Sequence, residues 1–262
     1  MTPHSLVILK FGGSVLTDTG AIPAAVQEIT RYLASYDRVI AVVSAFKNQT
    51  DTLENAAAEL CDRPSPEALA FYMGLGEMRA AGELTLGLQG AGIKAAIRMP
   101  WDVEFLSNGS VMNATPLSVS RQAFLDAFQK HDVVVFPGYV SRGKHGEPNV
   151  LGRGGSDLTA IFLAAELKAD HCILLKDTPG VYEWDPRTDG RPPRRYARIH
   201  WDDALRLCGR MLQPEHVAYA RSRSVTIQVM AIGKPGSTGI GPAASEFDTS
   251  QESTAAEESS GT

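Results

Sequence analysis

The sequence predicts an α/β fold, a three-layer αβα sandwich with a mainly parallel sheet. Three observations lead there. Short, continuous apolar runs of strand length alternate with segments of helical periodicity, the pattern of a parallel sheet covered on both faces. Apolar residues make up 44% of the 262 and charged residues 21%, a globular composition that excludes a collagen, a coiled coil and a wholly disordered chain. Glycines and charged side chains gather directly after the apolar runs, at Lys10-Phe11-Gly12-Gly13, Ser44, Gly138-Tyr139 and Lys176-Asp177. Parallel sheets bind ligands beyond those strand ends.

Each element has its own reason. Leu6 to Leu9 reads as a first buried strand. A helix follows from about Pro23, which suits a first turn, with Val26, Ile29 and Leu33 on one face. Val39 to Val43 is a second strand. Pro66 to Gly90 is helical in pattern, interrupted around Gly74-Leu75-Gly76. Lys94 to Arg98 reads as a short strand, Gln122 to Lys130 as a helix, and Val133 to Phe136 as a strand stopped by Pro137-Gly138. Ser156 to Lys168 is a helix capped by Ser156 or Asp157, with Leu158, Ile161, Phe162 and Ala165 on one face. Cys172 to Leu175 is the next strand. Two short helices, about Trp201 to Leu207 and Pro214 to Arg221, precede a last strand, Val225 to Met230. Residues 1–242 thus form one domain. Residues 243–262 are Ser, Glu, Ala and Thr with one aromatic, Phe247, and read as a disordered acidic tail.

Charge narrows the function. The net charge of −5 comes from Glu246, Asp248, Glu252, Glu257 and Glu258, leaving 25 acids against 25 bases in the body. A neutral body argues against a nucleic-acid partner. No apolar run approaches a membrane span, and the start has no signal-peptide layout, so a cytoplasmic protein is expected. Cys61, Cys172 and Cys208 lie far apart and read as reduced, buried thiols. The histidines are scattered too, so no protein-built metal site is expected. The helical face around Phe71 and Leu75 reads equally as core or as a homodimer contact.

Two glycine-rich segments carry candidate chemistry. In Lys10-Phe11-Gly12-Gly13-Ser14, glycines at a strand end let backbone amides approach an anion, and Lys10 adds a point charge suited to phosphate. Leu151-Gly152-Arg153-Gly154-Gly155-Ser156-Asp157 opens a helix, whose N-terminus favours anions. Arg153 can clamp a carboxylate with two hydrogen bonds. Taken alone, either segment is equally a structural turn with a solvated cation. Neither matches a Walker A loop, a GxGxxG motif or a protein-kinase set.

Together with three further elements, they resemble the catalytic domain of aspartate kinases, in the amino acid kinase superfamily. These elements are Val42-Val43-Ser44-Ala45 with Thr50-Asp51, Gly76-Glu77 with Gly92-Ile93-Lys94-Ala95, and Asp177-Thr178-Pro179-Gly180-Val181-Tyr182 with Asp185-Pro186-Arg187. The resemblance covers Val7 to about Gly239. It implies phosphorylation of the side-chain carboxylate of L-aspartate by ATP, giving 4-phospho-L-aspartate, with Mg2+ held mainly through ATP. Lys10 and Asp157 fall on catalytic positions, Lys10 at the phosphates and Asp157 ordering the site. Ser44, Thr50, Glu77, Arg153 and Ser156 fall on the amino-acid pocket, with Arg153 on a carboxylate and Glu77 on the ammonium. Lys10, Gly12, Gly13, Lys176, Asp177, Tyr182, Arg187 and Arg210 fall on the nucleotide side.

The chain departs from the family pattern at four places. Lys176 replaces a threonine before Asp177, Arg210 a lysine, and Gln213 a histidine. Phe46-Lys47-Asn48-Gln49 replaces a small, glycine-containing stretch beside the acceptor pocket. The paired C-terminal regulatory modules of most aspartate kinases find no counterpart, so no feedback inhibition through them is expected. The alternatives are a kinase of another aspartate-like carboxylate, a carbamate, a phosphonate or a nucleoside monophosphate, or a catalytically silent nucleotide- or amino-acid-binding subunit.

Overall fold

The computed structural model describes residues 5–186, 192–207 and 212–249. The chain runs β1 (Leu6–Phe11), α1 (Ile22–Leu33), β2 (Arg38–Val43), α2 (Gln49–Leu60), α3 (Pro66–Gly90), β3 (Ala95–Ile97), β4 (Leu106–Ser110) and β5 (Asn113–Ser118). It continues through α4 (Arg121–Ala127), β6 (Val133–Pro137), β7 (Val140–Arg142), β8 (Pro148–Val150), α5 (Gly155–Leu167) and β9 (His171–Lys176). The remaining elements are β10 (Tyr196–His200), α6 (Trp201–Leu207), α7 (Pro214–Ser222), β11 (Ile227–Ala231), β12 (Ser237–Gly241) and β13 (Glu246–Phe247). Nine strands form one sheet in the order β13-β10-β12-β11-β9-β1-β2-β6-β3. From β11 to β3 every pairing is parallel.

Strand alternation splits the apolar residues into two cores. Val7, Leu9 and Phe11 of β1 pack under α1 and α3, with Ile29, Ala80 and Leu84. Ile8 packs on the opposite face under α4 to α7, with Phe124, Phe162, Ala204 and Val217. The sandwich is therefore three-layered as expected.

Several elements differ from the sequence reading. Helix α3 is continuous through Gly74-Leu75-Gly76. Its glycines permit close contact: a Cβ on Gly74 would stand 2.9 Å from Val140, and one on Gly76 would stand 2.8 Å from Ala45. Phe71 and Leu75 on this helix are exposed, so they are not core. Helix α5 is not capped by Ser156 or Asp157. Gly154, with φ 72°, is its N-cap and makes no side-chain cap, so both polar residues sit inside the first turn. Helix α2 was not expected, nor was a second, four-stranded sheet in the order β5-β4-β7-β8. Cys172 is buried, whereas Cys61 is exposed because it follows the end of α2.

The strand expected to be last is followed by two more. Strand β13 lies within the segment expected to be disordered, and pairs antiparallel with β10. Phe247 stacks on Tyr196 at 4.2 Å, and the Arg194 guanidinium lies 3.9 Å from the Phe247 ring centre. Asp248 pairs with the buried Arg195. Order therefore persists past the composition boundary at Pro242, anchored by the one aromatic of that segment.

The junction of β6 with α5 is a close contact near the strand ends. A Cβ on Gly138 would stand 2.6 Å from Cβ of Ser156 and 2.8 Å from its Cα. Gly138→Ala is expected to destabilise the fold by about 2–3 kcal/mol, as overpacking against backbone does. A urea-unfolding midpoint equal to that of the wild type would refute this.

Candidate active site

Strand parity builds the charged centre. Lys10 has the parity of Ile8, so it leaves β1 towards α5. Lys176 has the parity of Cys172 and Leu174, which also face α5. Because β9 lies beside β1, the two ammonium groups converge on the first turn of α5. Nζ of Lys10 lies 2.6 Å from Oδ1 of Asp157, and Nζ of Lys176 donates to Oδ2 at 2.7 Å. All three side chains are largely buried, at 6%, 14% and 7% exposure for Lys10, Lys176 and Asp157. Burial alone would raise the Asp157 pKa, but the two ammonium groups outweigh it and hold the carboxyl well below the usual carboxylate range. Burial lowers the Lys10 pKa, against the pull of Asp157. Two cations on one carboxylate leave a net positive charge in a low-dielectric site at a helix N-terminus, an arrangement suited to an anion.

Beside this centre opens a cleft of about 840 Å³. It is lined by Lys10 and Gly13 and by all five residues expected to hold the amino acid: Ser44, Thr50, Glu77, Arg153 and Ser156. They come from five places, namely the end of β2, the first turn of α2, the middle of α3, the loop before α5 and its first turn. Glu77 is 4% exposed, and Oε2 has no hydrogen-bond partner among the described residues. Burial pushes its carboxyl up to about 7, against a backbone hydrogen bond at Ala45.

Gly12 shapes the centre from outside the cleft lining, since Lys10 Nζ lies 3.1 Å from where a Cβ on Gly12 would stand. Asp177 and Tyr182 stand on the loop after β9, also outside the cleft lining. The Asp177 carbonyl accepts from Lys234 Nζ at 3.0 Å, and Tyr182 bridges to Arg195. Arg187 and Arg210 lie outside the described residues.

Sequence reasoning assigned no role to three residues around the centre. Asn48 and Tyr139 line the cleft, both with left-handed backbone at φ 63° and φ 67°. His216 is buried with its ring 2.8 Å from where a Cβ on Gly154 would stand. Position directly after a strand was the available signal for Tyr139. Nothing in the local pattern marks His216.

A nine-stranded, mainly parallel sheet with a cationic centre at its strand ends and an adjoining polar cleft is an arrangement suited to holding an anionic ligand. The chain belongs to the Amino acid kinase family, whose model matches residues 5–225. It is 30% identical over 235 residues to an aspartate kinase of Pseudomonas putida, covering 88% of this chain and 57% of that protein. It is 31% identical over 230 residues to aspartokinase 2 of Bacillus subtilis, covering 86% of this chain and 55% of that protein. The structure of aspartate kinase from Synechocystis superposes with a TM-score of 0.79 at 29% identity, covering 92% of this chain and 40% of that one. The chain thus spans about half the length of these curated relatives. No described helix is long and apolar enough to cross a membrane.

Proposed function

We propose that this chain phosphorylates the side-chain carboxylate of L-aspartate with ATP, forming 4-phospho-L-aspartate and ADP. The observation that carries this reading is the buried Lys10–Asp157–Lys176 cluster opening onto a cleft that contains both Arg153 and Glu77. The similarity to aspartate kinases supports the choice of acceptor.

The chemistry needs little beyond placement and charge. A carboxylate is already ionised at neutral pH, so no general base is required. Its oxygen attacks the γ-phosphorus, the bond to the β-bridging oxygen breaks, and ADP leaves with the electron pair. Lys10 and Lys176 stabilise charge on the transferring group, and Asp157 fixes both ammonium groups in place. Arg153 holds a substrate carboxylate, and Glu77 receives the substrate ammonium. Ser44, Thr50 and Ser156 complete the acceptor contacts. Gly12, Gly13, Asp177, Tyr182, Arg187 and Arg210 belong to the nucleotide side. Magnesium enters as part of the nucleotide substrate. With both Asp157 oxygens against lysine ammonium groups, phosphate oxygens and water would supply the ion's ligands.

Trapping the acyl phosphate with hydroxylamine tests this directly. L-Aspartate is expected to give hydroxamate with MgATP, and Lys10→Ala and Arg153→Ala are each expected to cut kcat/KM by about 100-fold or more. No hydroxamate from L-aspartate, with activity on another acid, would reject the acceptor. No activity on any acid would reject a carboxyl acceptor.

A further inference from the structure

Tyr139 is held with left-handed backbone beside the cleft. A bulky residue at φ 67° is an outlier, kept only where its surroundings fix it, and such residues cluster at functional sites. Here the backbone is fixed from two sides. Its N–H donates to Thr159 Oγ1 at 3.1 Å, and its carbonyl accepts from the Leu151 N–H at 2.8 Å. The ring packs on α5, with Cδ2 lying 3.0 Å from where a Cβ on Gly155 would stand. These contacts account for the ring and the backbone. They leave the hydroxyl without a protein partner among the described residues, and Tyr139 lines the same cleft as Glu77 and Glu54.

We infer that Tyr139 is a specificity-determining residue of the acceptor subsite, its hydroxyl oxygen and the Glu77 carboxylate together receiving the free ammonium group of the acceptor. The inference rests on the reading of the cleft as an amino-acid site. An ammonium group has three N–H donors, and Glu77 Oε2 and the phenol oxygen are two acceptors on residues lining one cleft. Burial with Glu77 and Glu54 nearby pushes the phenol up to about 12, so the hydroxyl stays protonated at any working pH and can also donate to a carboxylate. A site built to hydrogen-bond one group rejects analogues that lack it far better than an apolar pocket does. Acceptors with a free amine are therefore favoured over des-amino and N-acylated acids.

Tyr139→Phe removes only the oxygen and keeps the ring against Gly155. Steady-state kinetics with MgATP should show the KM for L-aspartate rising about 10-fold, with kcat and the KM for MgATP changed less than about 2-fold. The preference for L-aspartate over succinate, its des-amino counterpart, should narrow by the same factor. An unchanged KM for L-aspartate with an unchanged preference would overturn the inference while leaving the kinase reading intact. So would a parallel loss in kcat and both KM values, which marks a packing role. Wild-type protein that binds MgATP in calorimetry but neither binds nor phosphorylates L-aspartate would overturn both.

Discussion

Asp157→Asn is expected to abolish measurable phosphoryl transfer and to destabilise the fold by about 3–5 kcal/mol, the usual cost of breaking a buried ion pair from one side. The variant leaves two ammonium groups facing an amide whose nitrogen is itself a donor, in a site where Lys10 and Lys176 are 6% and 14% exposed. The sign with pH follows from the depressed carboxyl. Its stabilisation is present above the unfolded value of about 3.9 and is lost as pH falls from there through the folded value. The gap between wild type and variant in urea unfolding should therefore be full at pH 7 and close progressively below about pH 4. Adding Lys176→Met should recover part of the stability, because one uncompensated cation is gone, yet restore no activity. Equal unfolding midpoints for wild type and Asp157→Asn at pH 7 would dismiss the cluster as the source of both effects.

The second large effect is a pH dependence seated on Glu77. With its carboxyl at about 7, the ionised fraction rises strongly between pH 6 and pH 8. The KM for L-aspartate should fall about tenfold over that interval, since only the carboxylate pairs with the ammonium group. Stability moves the other way. A folded pKa raised above the unfolded one means that the folded state binds more protons in between. The contribution is therefore fully present below about 4.3, the unfolded value, and is lost as pH rises through 7. Ligand-free protein should lose up to about 4 kcal/mol across that window from this group. L-Aspartate should stabilise it more at pH 8 than at pH 6. In Glu77→Gln both trends should flatten. A KM for L-aspartate that is level from pH 6 to pH 8 in the wild type would remove Glu77 from ammonium recognition.

Much of this was legible because the relevant signals are local and periodic. The continuous apolar runs of β1, β2, β6 and β9 announced a two-sided sheet, and strand ends announced where chemistry would gather. The five residues expected at the acceptor pocket come from motif resemblance, and the fold brings them to one cleft. What was missed has physical reasons. Strands β4, β5, β7 and β8 span only three to six residues, and β4, β5 and β8 have Asn, Gly or Pro inside, so they carry a weak strand signal. Gly74 and Gly76 read as helix breaks because sequence cannot show Val140 and Ala45 pressing on them. Phe247 is one aromatic among polar residues, and its partner Tyr196 lies far away in sequence. The φ of Tyr139 is set by Thr159 and Leu151, neither of which is adjacent to it.

The convergence of Lys10 and Lys176 on one carboxylate also bears on how the chain finds its fold. Shifting β9 by one residue against its neighbours would exchange the faces of all its side chains. Lys176 would then enter the apolar layer beneath α1 and α3, and Leu175 or Asp177 would face Asp157 in its place. The apolar run Cys172-Ile173-Leu174-Leu175 is nearly symmetric between the two faces and discriminates weakly between such registers. The lysine breaks that degeneracy. A misthreaded sheet would strand an ammonium group in hydrocarbon and leave the Asp157 carboxylate underpaired, so Lys176 also favours the native register of β9 during folding.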